Sequence, residues 1–120
     1  MDASKMIADI KAQPDYHKIG MILCHNGVVR ETAKDGRKVS GLRVFVDHDE
    51  LARVIEQHKM KDGIIDIRVE IAEDRTLSVG ENIMLLAVAG DVRQNVISVL
   101  TDVLNDIKTA VTRKEEFYRG

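Results

Sequence analysis

The stretch Ile65-Asp66-Ile67-Arg68-Val69-Glu70-Ile71 alternates apolar and charged residues without a break. Successive side chains of a strand point to opposite faces, so the pattern predicts a half-buried strand with the apolar residues inward and a wet outer face. Downstream, a turn at Glu73-Asp74-Arg75 leads through Leu77 and Val79 to Gly80, and the run from Ile83 to Ala89 is apolar throughout. That run reads as a central strand buried on both faces. Upstream, Ile19 to Cys24 is too short and too β-branched for a buried helix and predicts a strand continuing through Val28 and Val29. Asp35-Gly36 marks a turn, because both residues tolerate positive φ. From Val39 to Val46, Leu42, Val44 and Val46 alternate with Arg43 and Phe45, which predicts the hairpin partner of the first strand.

Three helical segments surround these strands. Met6, Ile7 and Ile10 share one side of a helix over Ala3 to Ala12, closed by Gln13-Pro14-Asp15. The acids of Asp47-His48-Asp49-Glu50 open a second helix, with Leu51, Val54, Ile55 and His58 as its inward stripe and Lys61-Asp62-Gly63 as its end. A long last helix is predicted from about Val92 to Val111, its stripe built from Val92, Val96, Val99, Leu100, Val103, Leu104, Ile107 and Val111. Asp91 is its expected N-cap, with Gln94 as capping-box partner. Hairpins and alternating strands, rather than repeated βα units, give an α+β fold with a mixed, mostly antiparallel sheet packed by one long and two shorter helices.

At 120 residues the chain is expected to be one domain, residues 1–120. It is 44% hydrophobic but only 3% aromatic, with no Trp, so Ile, Val, Leu and Met must supply the core. Eighteen Lys+Arg against twenty Asp+Glu leave a net charge of −2, which argues against a nucleic-acid binder. The single Cys24 cannot form an internal disulfide, and no apolar run approaches the roughly 18 residues of a membrane span. The N-terminus lacks the apolar core of a secretory signal. A cytoplasmic protein is expected.

Two cations stand out on the last helix. Arg93 falls about 50° from the centre of the apolar stripe and in the first turn, where the helix dipole disfavours positive charge. An anion held between Arg93 and the helix N-terminus resolves both problems; a snorkelling Arg paired with a strand acid is the simpler alternative. Lys108 lies on the same flank but some 22 Å further along the axis, so one small ligand cannot span both on one helix and a shared site needs a second subunit or a larger ligand. Lys108 and Arg113-Lys114 also read as cations that complement the dipole in the last turn. Cys24 and His25, neighbours on a strand, point to opposite faces and cannot act as nucleophile and base. No His-x-x-x-His or Cys-x-x-Cys spacing suggests a metal, no cofactor motif is present, and Arg119-Gly120 lacks the Gly-Gly end of a ubiquitin-like sulfur carrier.

The order of these elements, with several short motifs, resembles the large catalytic subunit of molybdopterin synthase. Gly27-Val28-Val29-Arg30 is similar to that family's first-strand motif, and Asp35-Gly36-Arg37-Lys38-Val39 to the turn after it. Gly63 to Val69 resembles its central strand, Leu77-Ser78-Val79-Gly80-Glu81 the turn before the buried strand, and Val88-Ala89-Gly90-Asp91-Val92-Arg93 the motif holding a histidine-arginine pair. Ile107-Lys108 and Arg113-Lys114-Glu115 stand where the family has its two functional lysines. Three departures accompany the likeness. Val92 takes the histidine's place, Val111-Thr112-Arg113 replaces a Pro–aromatic–Trp run with one residue fewer, and the aromatic segment after the second strand is missing. Without a gap, Glu115 rather than Lys114 aligns with the second lysine.

The resemblance implies a homodimer that takes sulfur from the thiocarboxylated C-terminal Gly of a small ubiquitin-like carrier subunit and places it on a cyclic pterin phosphate. It implies that Arg30, Arg93 and Arg37 bind the anionic substrate, and that Lys108 meets the thiocarboxylate or transfers protons. Lys114 then assists as acid, base or covalent anchor. The competing expectation is a catalytically silent homodimeric relative that binds an anionic ligand or a partner protein. The last is an unrelated α+β domain without an anion pocket.

Overall fold

A computed structural model describes residues 1–119, which leaves the Gly120 of the sulfur-carrier comparison outside the described residues. Its elements in chain order are α1 (Ala3–Lys11), a 3-10 turn (Tyr16–Lys18), β1 (Met21–Val28), β2 (Val39–Val46), α2 (His48–Lys59), β3 (Ile64–Ile71), β4 (Thr76–Ser78), β5 (Asn82–Gly90), α3 (Arg93–Asp106), a π-helical turn (Ile107–Val111) and β6 (Thr112–Tyr118). The class is α+β, and every strand pairing among the described residues is antiparallel.

The strands form two three-stranded sheets, ordered β1-β5-β3 and β4-β2-β6. The expected hairpin between β1 and β2 therefore does not form. β1 instead pairs with β5, Met21 opposite Gly90, while Thr32 and Lys38 make only an isolated bridge in the intervening loop. The apolar alternation of β2 is genuine, but Leu42 and Val44 serve a separate small core with Val29 and Leu77.

β5 is central and buried on both faces, as its composition requires. Met84, Leu86 and Val88 face α3 and join Val96, Val99, Val103 and Ile107 in the main core. Leu85, Ala87 and Ala89 face the other way, against Met6 and Ile10 of α1. α1 therefore covers part of the β3 face expected to be wet. Asp66, opposite Ala89, is 7% exposed. Its carboxylate accepts from Arg68 Nε at 2.8 Å, Gln13 Nε2 at 3.1 Å and the Ile67 N–H at 2.9 Å, which keeps a buried charge tolerable. An irregularity between Ile64 and Asp66 puts Ile64, rather than Ile65, into the core with Ile67.

Gly90 closes β5 where the chain turns into α3. A Cβ there would lie 2.6 Å from the Gly63 carbonyl oxygen and 2.8 Å from Val96 Cγ2. Gly90→Ala is therefore expected to lower stability by about 1–3 kcal/mol, read as a shifted urea midpoint at unchanged m-value.

Candidate functional site

The last helix ends differently from the single helix expected to Val111. After Asp106 the backbone widens into the π-helical turn, with the Thr112 N–H bonded to the Ile107 carbonyl. Ile107 and Val111 are buried anchors at its two ends, and Lys108, Thr109 and Ala110 are carried outward between them. Such turns recur at functional sites because they re-aim side chains without breaking the helix. Among the described residues the Lys108 side chain has no hydrogen bond or ion pair, so its ammonium is available to a ligand.

His25, on β1, lies near enough to Lys108 to feel its charge. It sits opposite Leu86 on the face packed by α3, with its Nε2 lying over Gly27. Burial lowers its pKa, and the nearby Lys108 charge lowers it further, so the imidazole is neutral at pH 7. In the sequence this histidine stands out only as the neighbour of Cys24. The two do point apart, Cys24 packing on the α1 side, where burial raises its thiol pKa.

Arg93 does not lie at the edge of the apolar stripe as expected. The first turn of α3 stands clear of the core: Val92 is 49% exposed, Arg93 is exposed, and burial begins at Val96. Val92, not Asp91, is the N-cap, and it has no side-chain cap bond. The Asp91 carboxylate instead accepts from Asn95 Nδ2 at 2.9 Å and from the Val92 N–H at 2.6 Å, bonds that hold its pKa below the usual range. The helix N-terminus thus already has a resident anion, and the expected capping box with Gln94 does not form. The Arg93 side chain has no partner among the described residues, so the snorkelling, acid-paired alternative does not apply.

The remaining candidates are dispersed. Arg30 is exposed beyond the end of β1, five residues past His25, and its side chain also has no partner among the described residues. Arg37 is engaged, its Nε 2.7 Å from Asp35 Oδ2 and its guanidinium 3.8 Å above the Tyr118 ring. Lys114 is not in a last helical turn. It lies on β6 opposite Val44, exposed and 4.0 Å from Glu116. Within one chain the five cations do not converge: Arg93 and Lys108 occupy opposite ends of the α3 segment, separated by about 22 Å of helix.

A shallow depression of about 320 Å3 opens beside the π turn, lined in part by Phe45, Asp47, Thr109, Ala110 and Arg113. Arg113 lies 4.3 Å over the Phe45 ring and 3.8 Å from Glu115, so its guanidinium is held at the edge of this depression. β6 was not legible in the sequence, and neither was this pairing. No group of His, Cys, Asp or Glu among the described residues is arranged to hold a metal ion, and no described helix is long and apolar enough to cross a membrane.

Residues 1–110 match the sequence model of the MoaE protein family. Several solved structures share the fold. A molybdopterin cofactor biosynthesis protein E from Burkholderia multivorans is 22% identical, with a TM-score of 0.78 over 99% of this chain and 82% of that one. Molybdopterin synthase from Staphylococcus aureus is 21% identical, with a TM-score of 0.72 over 89% and 85%. A protein–protein complex of subunits 1 and 2 of molybdopterin-converting factor from Helicobacter pylori contains a chain 15% identical, with a TM-score of 0.72 over 98% and 84%. No curated protein sequence matches.

Proposed function

The chain belongs to the MoaE protein family, and on that premise we propose that it works in molybdenum cofactor biosynthesis as the large subunit of a molybdopterin synthase. It moves sulfur from the thiocarboxylate of a small ubiquitin-like carrier subunit to a cyclic pterin phosphate. The observation that carries this reading is that Arg30, Arg93 and Lys108, three of the exposed cations whose side chains have no partner among the described residues, lie within the matched span at the positions the resemblance assigns to anion handling, while Lys114 lies beyond it. Exposed cations without internal partners are matched to an external anion, and the substrate and the thiocarboxylate are both anionic.

In this assignment Arg30 and Arg93 bind the phosphate and ring system. Arg37 joins them only by exchanging its Asp35 contact for substrate. Lys108 meets the thiocarboxylate and handles protons, with neutral His25 beside it as an acceptor. Lys114 plays an assisting part. Because Arg93 and Lys108 are about 22 Å apart on one α3 segment, two copies of the chain are needed for both to touch one substrate. A cytoplasmic location fits this chemistry and these partners.

Val92 supports a second reading. An exposed apolar side chain stands where the resemblance places a histidine, which favours a silent homodimer that binds the anion without turning it over. Calorimetric titration with cyclic pterin phosphate tests the anion site common to both readings. Arg93→Ala is expected to weaken binding by about 10- to 100-fold, the worth of a charged hydrogen bond. Its melting temperature is expected to stay unchanged, because Arg93 is exposed and unpaired among the described residues. Equal affinity in the variant would remove Arg93 from the site. The readings separate on whether the bound substrate gains sulfur.

A further inference from the structure

The π turn that carries Lys108 is held at both ends by a single element, α2. At the α2 N-terminus the Asp47 N–H donates to the Val111 carbonyl at 2.8 Å. At its C-terminus, His58 reaches Asp106, the residue immediately before the turn, with Nε2 2.7 Å from Oδ2. A carboxylate can only accept, so Nε2 carries the hydrogen. One turn earlier, Lys61 Nζ lies 3.3 Å from Asp102 Oδ2, and the Arg53 guanidinium also acts toward Asp106. Only the histidine of this set is buried.

His58 is 3% exposed and lies on the inward stripe of α2, and its Nδ1 has no hydrogen-bond partner among the described residues. An apolar side chain of similar volume would pack there without leaving an orphaned nitrogen, so stability alone does not explain an imidazole at this position. What the imidazole adds is direction, because it fixes the Asp106 carboxylate at the point where the α register gives way to the π register. We propose that His58 is a positioning residue: through Asp106 it sets the π turn and hence the place from which Lys108 acts. This rests on the functional reading above for the role of Lys108, but not for the mechanical link.

Amide hydrogen exchange and turnover on the same full-length variants test it. In His58→Leu, exchange at Lys108 to Val111 is expected to quicken about tenfold or more while Val96 to Val103 stay protected, with an unchanged or higher melting temperature. His58→Gln retains a donor toward Asp106 and is expected to restore protection. Asp106→Ala, a change at a carboxylate 45% exposed, is expected to reproduce the loss, with a lower melting temperature because the buried His58 Nε2–H is left without an acceptor. In sulfur transfer, kcat is expected to fall about tenfold at unchanged KM in the Leu variant and to recover in the Gln variant. Uniform loss of protection along α3, unchanged exchange at the turn, or failure of Gln to rescue would overturn the proposal. If the wild-type chain binds substrate but transfers no sulfur, the functional reading falls while the exchange comparison still decides the part played by His58.

Discussion

Lys108→Ala is expected to cut sulfur incorporation in a single turnover by about 10²- to 10⁴-fold, the range associated with loss of a positioned proton-transfer group. The fold should persist. Lys108 is exposed on the π turn, and its side chain makes no bond within the described residues, so truncation removes no packing and orphans no partner. Substrate affinity, measured separately, is expected to change less than turnover, because the proposed assignment gives the phosphate to the arginines. Arginine at the same position keeps the charge but cannot give up its proton, so Lys108→Arg separates electrostatic contact from proton transfer. Full activity in Lys108→Ala would remove the residue from the chemistry.

The largest effect on stability is expected from Leu86→Ala, at about 2–5 kcal/mol. Leu86 is 0% exposed at the middle of β5, with His25 of β1 and Val69 of β3 on either side and the α3 stripe above it. No neighbouring backbone can collapse into the space, because both flanking positions are fixed by ladder hydrogen bonds. A domain with a typical stability of about 5–15 kcal/mol loses a large share of it from this one change. Urea denaturation of the two proteins measures the difference. A loss below about 1 kcal/mol would mean that β5 is not the centre of the core.

The same strand shows why some of the structure was legible in the sequence. A continuous apolar run has to be covered on both faces, and α1 and α3 are the amphipathic helices available to cover it. The alternation of β3 was equally clear, yet it concealed Asp66, which is buried because α1 brings Gln13 to it across the sheet. Strand pairing was not legible. The inward residues of β2 suit any sheet, and their choice of β4 and β6 over β1 rests on contacts between distant segments. β6, with the sequence Thr-Arg-Lys-Glu-Glu-Phe-Tyr, lacks apolar alternation because it is an edge strand with little to bury.

The candidate site divides in the same way. Arg93 and Lys108 could be singled out because helical spacing is a local property, and the separation between them follows from the rise of the helix. The anchoring of the turn could not be read in advance. His58 showed only as the polar end of an apolar stripe, and its partner Asp106 lies on a different helix. His25 comes within range of the Lys108 charge only after β1 and α3 have packed. Asp91, read as a cap, is instead the acid already seated at the helix end where an anion had been expected.

Mixing the protein with cyclic pterin phosphate and a thiocarboxylated small subunit, and following both masses through one turnover, tests the central claim most directly. The account predicts that the pterin gains sulfur as the carrier loses its thiocarboxylate, and that Lys108→Ala abolishes both changes. Binding of pterin and carrier with no sulfur transferred would contradict it and leave a silent relative of the synthase.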